Sequence, residues 1–263
     1  MEGRVGSLYR YPVKGFTPER VGAVMLEAGG NFPCDRLYAV ERGPSGFDPD
    51  TPAFISKWRF TVLANHPKLA RAVTAFDPAS GTLSLKIGEW IEHFDLHDHA
   101  GRQAFADWLA AYLGEDEEMG PLHLIEAGPR HRFTDDCEGW VSLINLASLR
   151  DLAAKLERGV DPLRMRANLY VEGWPAWAEL DLPTGTRLRL GESVAEVVKP
   201  IPRCIATHVD PVSGERDLDL VPALRSHYGH GLCGLYLKPI AGGGLAEGDL
   251  ATLVPAHPAE LSP

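Results

Sequence analysis

Apolar and polar positions alternate along the first part of the chain with the period of a half-buried strand. The pattern runs through residues 4–11 (RVGSLYRY), 22–27 (GAVMLE) and 37–41 (LYAVE), and the turn sequence GPSG follows at 43–46. Several short strands at this spacing predict a small sheet or barrel. Residues 69–76 and 82–87 flank DPASG at 77–81, a turn-rich linker between two alternating runs, which predicts a hairpin. The period then changes. Over 102–113, Phe105, Trp108, Leu109, Tyr112 and Leu113 share one helical face and Gly114 stands ready to end it. The acidic run 115–118 (EDEE) reads as a solvated linker. It sets a boundary between a part spanning 1–120 and a part spanning 121–263.

In the second part, residues 143–156 repeat apolar positions at three and four, predicting a helix stopped by Gly159 and Asp161-Pro162. Strands return at 168–172, 187–190, 194–198 and 235–240, with Gly191 and Gly242 to Gly244 as punctuation. The predicted fold class is α+β and mostly β. No internal repeat of solenoid period is present.

A chain of 263 residues with 44% hydrophobic content can build a substantial core without disulfides. The formal charge of −10 and the lack of a Lys/Arg run argue against a nucleic-acid polymer as partner. No basic start followed by an apolar stretch is seen, and no segment approaches 18 uninterrupted apolar residues, so a cytoplasmic protein without a membrane partner is expected. Four widely spaced cysteines without any Cys-x-x-Cys do not suggest a disulfide framework, a zinc ribbon or an iron–sulfur cluster.

Candidate chemistry centres on residues 199–214 (KPIPRCIATHVDPVSG). Pro200 and Pro202 fix φ and hold Cys204 on an extended segment, and Arg203 beside it favours a thiolate, the form that ligates metals and attacks electrophiles. A buried, inert cysteine is the alternative. Lys14 and Arg36 offer charge to a phosphate; Arg166 and Asn168 offer a donor and an amide, or serve only as capped polar groups on a strand. Glu179 is an acceptor-only carboxylate, or the partner of an arginine. Just past Cys204, Thr207 could orient the sulfur through its hydroxyl, His208 could move protons near neutral pH, and Asp210 completes the group. His93, His97 and His99 have metal-like spacing but fit surface positions before a helix better. Residues 229–234 (GHGLCG) match Gly-x-Gly-x-x-Gly, yet a helix is predicted before and a strand after, the reverse of a dinucleotide site.

Six ordered blocks carry a resemblance: 9–14 (YRYPVK), 34–38 (CDRLY), 166–168 (RAN), 175–179 (PAWAE), Arg203-Cys204 with 209–211 (VDP), and Gly248-Asp249. Together they resemble the MOSC family, the C-terminal domain of molybdenum-cofactor sulfurases, in the subgroup of amidoxime-reducing components and N-hydroxylaminopurine reductases. The resemblance implies a MOSC β-barrel domain with flanking helices behind an N-terminal β-rich MOSC-associated domain. It implies a molybdenum cofactor (Mo-molybdopterin) with Cys204 as metal ligand. Lys14, Arg36, Arg166, Asn168, Glu179 and Arg203 would be its contacts. An oxidoreductase of small N-hydroxylated or N-oxide substrates follows, with electrons from an external donor protein. Departures are His208 where relatives tend to carry threonine, Gly15 in place of a frequent serine, 54–60 (FISKWRF) without a Gln-Arg block, and 180–182 (LDL) without a tryptophan. Two other readings stay open: a persulfide or cofactor carrier at Cys204, and a pyridoxal-phosphate protein using Lys14 or Lys199.

Overall fold

The computed structural model describes residues 1–114, 121–129 and 131–255. The strands are β1 (Glu2–Arg10), β2 (Glu19–Val21), β3 (Ala23–Leu26), β4 (Tyr38–Arg42), β5 (Val73–Asp77), β6 (Thr82–Ile87), β7 (Trp90–Asp95) and β8 (Leu122–Glu126). They continue as β9 (Val141–Asn145), β10 (Leu169–Glu172), β11 (Arg187–Leu190), β12 (Ser193–Pro202), β13 (Leu232–Ala241), β14 (Gly243–Ala246) and β15 (Leu250–Leu253). Helices are α1 (His99–Leu113), α2 (Leu146–Leu156) and α3 (Leu220–Tyr228). The acidic run 115–118 and the boundary at residue 120 lie outside the described residues.

The principal sheet runs β10-β9-β13-β12-β11-β15-β1-β2, and β1 also pairs with β10, closing seven strands into a barrel. Closure leaves no open edge within those seven. β1 supplies the closing strand because its alternating sequence buries Val5 and Leu8 while both of its edges find partners: Val5 opposite Val171 on one side and Arg4 opposite Leu250 on the other. Val5 and Leu8 join Leu143, Leu169, Val171, Leu188, Leu190, Val197, Leu235 and Leu237 in the barrel's core. The first strand of the sequence is therefore a stave of a barrel otherwise built from residues 141–253.

A second core lies under α1, where Phe105, Leu109 and Leu113 pack on the β5-β6-β7 sheet and on Val13, Phe16 and Tyr38. The helix begins three residues earlier than predicted, at His99, and ends where Gly114 turns left-handed at φ 67°. The hairpin forms as β5 and β6, its first strand starting at Val73 because residues 67–71 make a 3₁₀ turn behind Pro67. One expected element is divided: of the helix predicted over 143–156, the first three residues complete β9. Val141 to Asn145 are all buried between β10 and β13, and a central strand buried on both faces gives an apolar run without alternation. Asn145 then caps α2, its side chain accepting from Ala147 N. α2 and α3 cover one side of the barrel through Leu149, Leu152, Leu220 and Leu224.

Candidate functional site

Where the barrel meets the first part of the chain, a cavity of about 320 Å³ opens. Lys14, Gly15, Arg36, Lys57 and the 62–64 segment line it from the first part of the chain, and Asp135, Asp136, Arg164 to Arg166, Asn168, Arg203, Cys204, Thr207 and Tyr236 line it from the second.

Cys204 reaches this cavity because β12 ends in two prolines. Its register against β13 slips between Val197 and Lys199 and again between Pro200 and Pro202, bending the strand. Cys204 follows in extended conformation (φ −123°, ψ 174°), and a 3₁₀ turn, Ile205–His208, starts at once. The expected restrained, extended cysteine is what forms. Arg203 beside it is anchored, with Nε and Nη1 donating to the carbonyls of Cys233 (2.8 Å) and Met165 (2.9 Å). All four cysteines are free thiols, and only Cys204 lines the cavity.

Two of the lining cations, one from each part of the chain, stack on one ring. Arg36 and Arg166 lie over Tyr11, their guanidinium carbons 4.6 and 4.5 Å from its centroid. Both have left-handed backbones, φ 49° and 52°, which non-glycine residues adopt at a cost of about 1–3 kcal/mol each. Arg36 pays for part of this strain by bonding the Arg166 carbonyl (2.9 Å) and pairing with Asp35, whose other oxygen accepts from Tyr11 N (2.8 Å). Burial pushes the Tyr11 phenol up to about 12, against the pull of the two arginines and of the neighbouring Tyr170 hydroxyl. Arg166 has no carboxylate partner and no side-chain hydrogen bond among the described residues, and burial lowers its pKa. It faces the cavity with its donors open.

Lys14 is 4% exposed; its Nζ donates to Phe133 O (2.8 Å) and to Asp135 (2.5 Å). Burial lowers its pKa, opposed by Asp135. Asp135 is 46% exposed at the side chain; burial would raise its pKa, but Lys14 and then Lys57 hold it well below the usual carboxylate range. Gly15, next to Lys14, has φ 91°, and a Cβ there would sit 2.9 Å from Thr61 O. A serine in its place would need a different backbone and a different 61–62 wall. Asn168 accepts from Ser142 N (3.0 Å) and Oγ (2.8 Å) and donates to Tyr9 O (3.2 Å), tying β9, β10 and β1 together at the cavity floor.

The structure thus brings together Lys14, Arg36, Arg166, Asn168, Arg203, Cys204 and Thr207, and leaves three expected residues outside. Glu179 is fully buried against α2, accepting from Asn145 Nδ2 (2.8 Å) and Ser148 Oγ (2.7 Å). It fastens the 175–181 loop and meets no arginine. His208 turns away from the cavity: Nε2 accepts from Val221 N (3.2 Å) and Nδ1 lies 3.4 Å from Asp219, so it braces the start of α3. Asp210 pairs with buried Arg164 (2.9 Å) and closes the 210–214 turn. Thr207 does line the cavity, but its hydroxyl donates to the Cys204 carbonyl (2.8 Å) rather than to the sulfur. The three histidines do not cluster, and no group of three or more metal-ligating side chains occurs among the described residues.

Two regions of the sequence match family models: residues 2–98 the MOSC N-terminal beta barrel domain, and residues 128–252 the MOSC domain. The chain belongs to the MOSC family. Among curated proteins, this MOSC chain is 30% identical over 228 residues to a molybdenum cofactor sulfurase of Caenorhabditis briggsae, covering 75% of itself and 31% of that protein. It is 31% identical over 139 residues to the Caenorhabditis elegans protein of the same name, covering 52% of itself and 18% of the relative. It therefore spans less than a third of the relatives' length. Among solved structures, the YUAD protein of Bacillus subtilis aligns over 95% of this chain and 94% of its own at 13% identity, with a TM-score of 0.44. YiiM of Geobacillus stearothermophilus covers 48% and 59% at 17% identity with a TM-score of 0.37. The family rests on the two matched regions.

Sequence reasoning missed Tyr11, Lys57, Asp135 and Tyr236 in this MOSC site. Tyr11 was inside a recognised block, between Arg10 and Pro12, and its buried place at the end of a strand was the available signal. Lys57 and Asp135 lie in irregular segments where no periodicity marks a residue. No helix is long and apolar enough to cross a membrane among the described residues.

Proposed function

We propose that this MOSC protein binds a molybdenum cofactor in the cavity and reduces small N-hydroxylated or N-oxide compounds there, taking electrons from an external donor protein in the cytoplasm. The observation that carries the reading is a lone cavity thiol, Cys204, sharing the cavity with the guanidinium of Arg166, which has no ion pair or side-chain hydrogen bond among the described residues. That donor set fits the group: a thiolate is a soft ligand suited to such a metal, and open cationic donors suit a phosphorylated pterin. The relatives' name, molybdenum cofactor sulfurase, points to the same class of ligand. When bound, the cofactor supplies two-electron chemistry at a sulfur-held metal.

The chain's own residues do the rest. Arg203, locked on two carbonyls, fixes the backbone that presents Cys204. Arg166 and Lys14 hold the anionic end of the ligand, while Arg36, clamped by Asp35, supports Arg166 through its carbonyl. Asn168 keeps the floor closed. The Tyr236 phenol lines the cavity and burial raises its pKa, so it stays protonated at neutral pH and can donate to a substrate oxygen.

The test is molybdenum by elemental mass spectrometry and oxidised-pterin fluorescence on protein from a cofactor-competent host, followed by a screen of N-hydroxy compounds. Near-stoichiometric metal and pterin, both lost in Cys204→Ala, are expected. Their absence, with a labile sulfur adduct on Cys204, would put the persulfide carrier first, a reading the relatives' name also favours. The pyridoxal-phosphate reading is weaker: Lys14 is held by Asp135 and Phe133, and Lys199 by Glu138 (2.7 Å) and Asp136 (3.0 Å).

A further inference from the structure

The cations around the cavity divide by what satisfies them. Arg36 has Asp35, and Arg164 has Asp210 (2.9 Å) and Asp217 (2.7 Å). Arg203 gives its donors to carbonyls, and Lys14 has Phe133 O and the near oxygen of Asp135. Asp136 is taken by Lys199. Two cations remain with neither a carboxylate of their own nor a carbonyl acceptor among the described residues. Arg166 belongs to the cofactor end of the proposed site. The other is Lys57, which the family's blocks do not contain.

Lys57 opens a 3₁₀ turn, Lys57–Arg59, on the outer side of the cavity. Its neighbours Trp58 and Arg59 are exposed, whereas its own side chain is 19% exposed. The aliphatic stem is buried and the ammonium points inward over Asp135, whose second oxygen is 3.4 Å away and whose first already serves Lys14. One half-exposed carboxylate therefore answers two ammonium groups. The Cys204 side chain is a further neighbour of the ammonium, which lies 5.4 Å from the centre of the Trp58 ring. An ammonium that lines the cavity beside Cys204 and shares its one carboxylate with Lys14 can take up a further anion.

We infer that Lys57 determines specificity by binding the anionic substituent, a carboxylate or similar oxyanion, of the N-oxygenated substrate that enters over Cys204. The inference rests on the proposed function for the identity of the substrate's reactive end, but not for the anion preference itself. A charge-assisted hydrogen bond of this kind contributes enough to separate a carboxylated ligand from its neutral parent by about tenfold in Kd.

The experiment compares benzamidoxime with 4-carboxybenzamidoxime, by calorimetry and by turnover, on the full chain prepared in a cofactor-competent host. Wild-type protein should bind the carboxylated compound about tenfold more tightly. The preference should vanish in Lys57→Met and return in Lys57→Arg, with metal and pterin content unchanged in both. Equal binding of the two compounds by wild type, a preference that survives Lys57→Met, or loss of the cofactor in Lys57→Met would each overturn the inference. Calorimetry reads the preference even if neither compound is reduced, so failure of the reductase reading and failure of the anion site give different results.

Discussion

Asp135 and Glu179 are carboxylates with opposite surroundings. Asp135 is half exposed among cations, with Lys14 at 2.5 Å and Lys57 at 3.4 Å. Glu179 is fully buried among neutral donors, Asn145 and Ser148, with no cation against it. The consequence for charge is opposite too: attraction holds the Asp135 pKa down, and burial raises that of Glu179 against its hydrogen bonds. Charge on Asp135 compensates a ligand site; the hydrogen bonds of Glu179 fasten a loop. A carboxylate's role is thus set by which partners the fold brings, a property its sequence block does not display.

Substitutions can separate the two regions. Cys204→Ala should lower cofactor content and turnover by at least about a thousandfold, the scale of losing an essential catalytic group, without moving the urea midpoint. Retained turnover would remove the cavity from the chemistry. Glu179→Ala should do the reverse, leaving Asn145 and Ser148 without their acceptor and costing about 2–4 kcal/mol of stability; the folded fraction should keep its metal and pterin. Asp135→Asn leaves Lys14 buried without its charge partner. Breaking a buried pair costs about 3–5 kcal/mol, but solvent reaches Asp135 and the Phe133 carbonyl remains, so about 1–2 kcal/mol is expected by denaturant titration.

The smallest effects are those of pH. A depressed carboxylate pKa gives stability that is present above the unfolded value, about 3.9, and is lost as pH falls toward the folded one. The penalty of Asp135→Asn should therefore shrink below about pH 4. A raised pKa works the other way: the Glu179 contribution is present below its unfolded value, about 4.3, and is lost as pH rises through the folded one. Glu179→Gln should stay within about 1 kcal/mol of wild type and compare better with it at pH 7 than at pH 3.5. Parallel pH profiles for the two variants would erase the contrast between the regions.

Much of the fold was legible because alternation and helical stripes report one buried face, as in β1, β6 and α1. β9 was misassigned because burial on both faces erases that signal. The residues of the site that were legible sit in compact blocks with polar side chains at a strand end or turn, as Lys14, Arg36 and Cys204 do. Glu179, read from a family block, and His208 and Asp210, read from nearness to Cys204, lie outside the cavity: one turn of 3₁₀ helix is enough to point His208 at α3 instead. Lys57 was invisible for the converse reason, since 42 residues separate it from Gly15 along the chain while both face one space.

The stave formed by β1 has a consequence for how the chain is made. It is synthesised before every other stave, yet the neighbours that close the barrel on it are residues 169–172 and 250–252. At about 5–20 residues per second, the last of these follows some ten to fifty seconds later. Throughout that interval β1 lacks both barrel partners, and only the three-residue β2 can pair with it, at Leu8 to Arg10. Nascent-chain crosslinking should therefore find β1 held by chaperones until residues 250–252 have emerged, and a gene cut between the two family regions should yield halves that regain a closed barrel only when mixed.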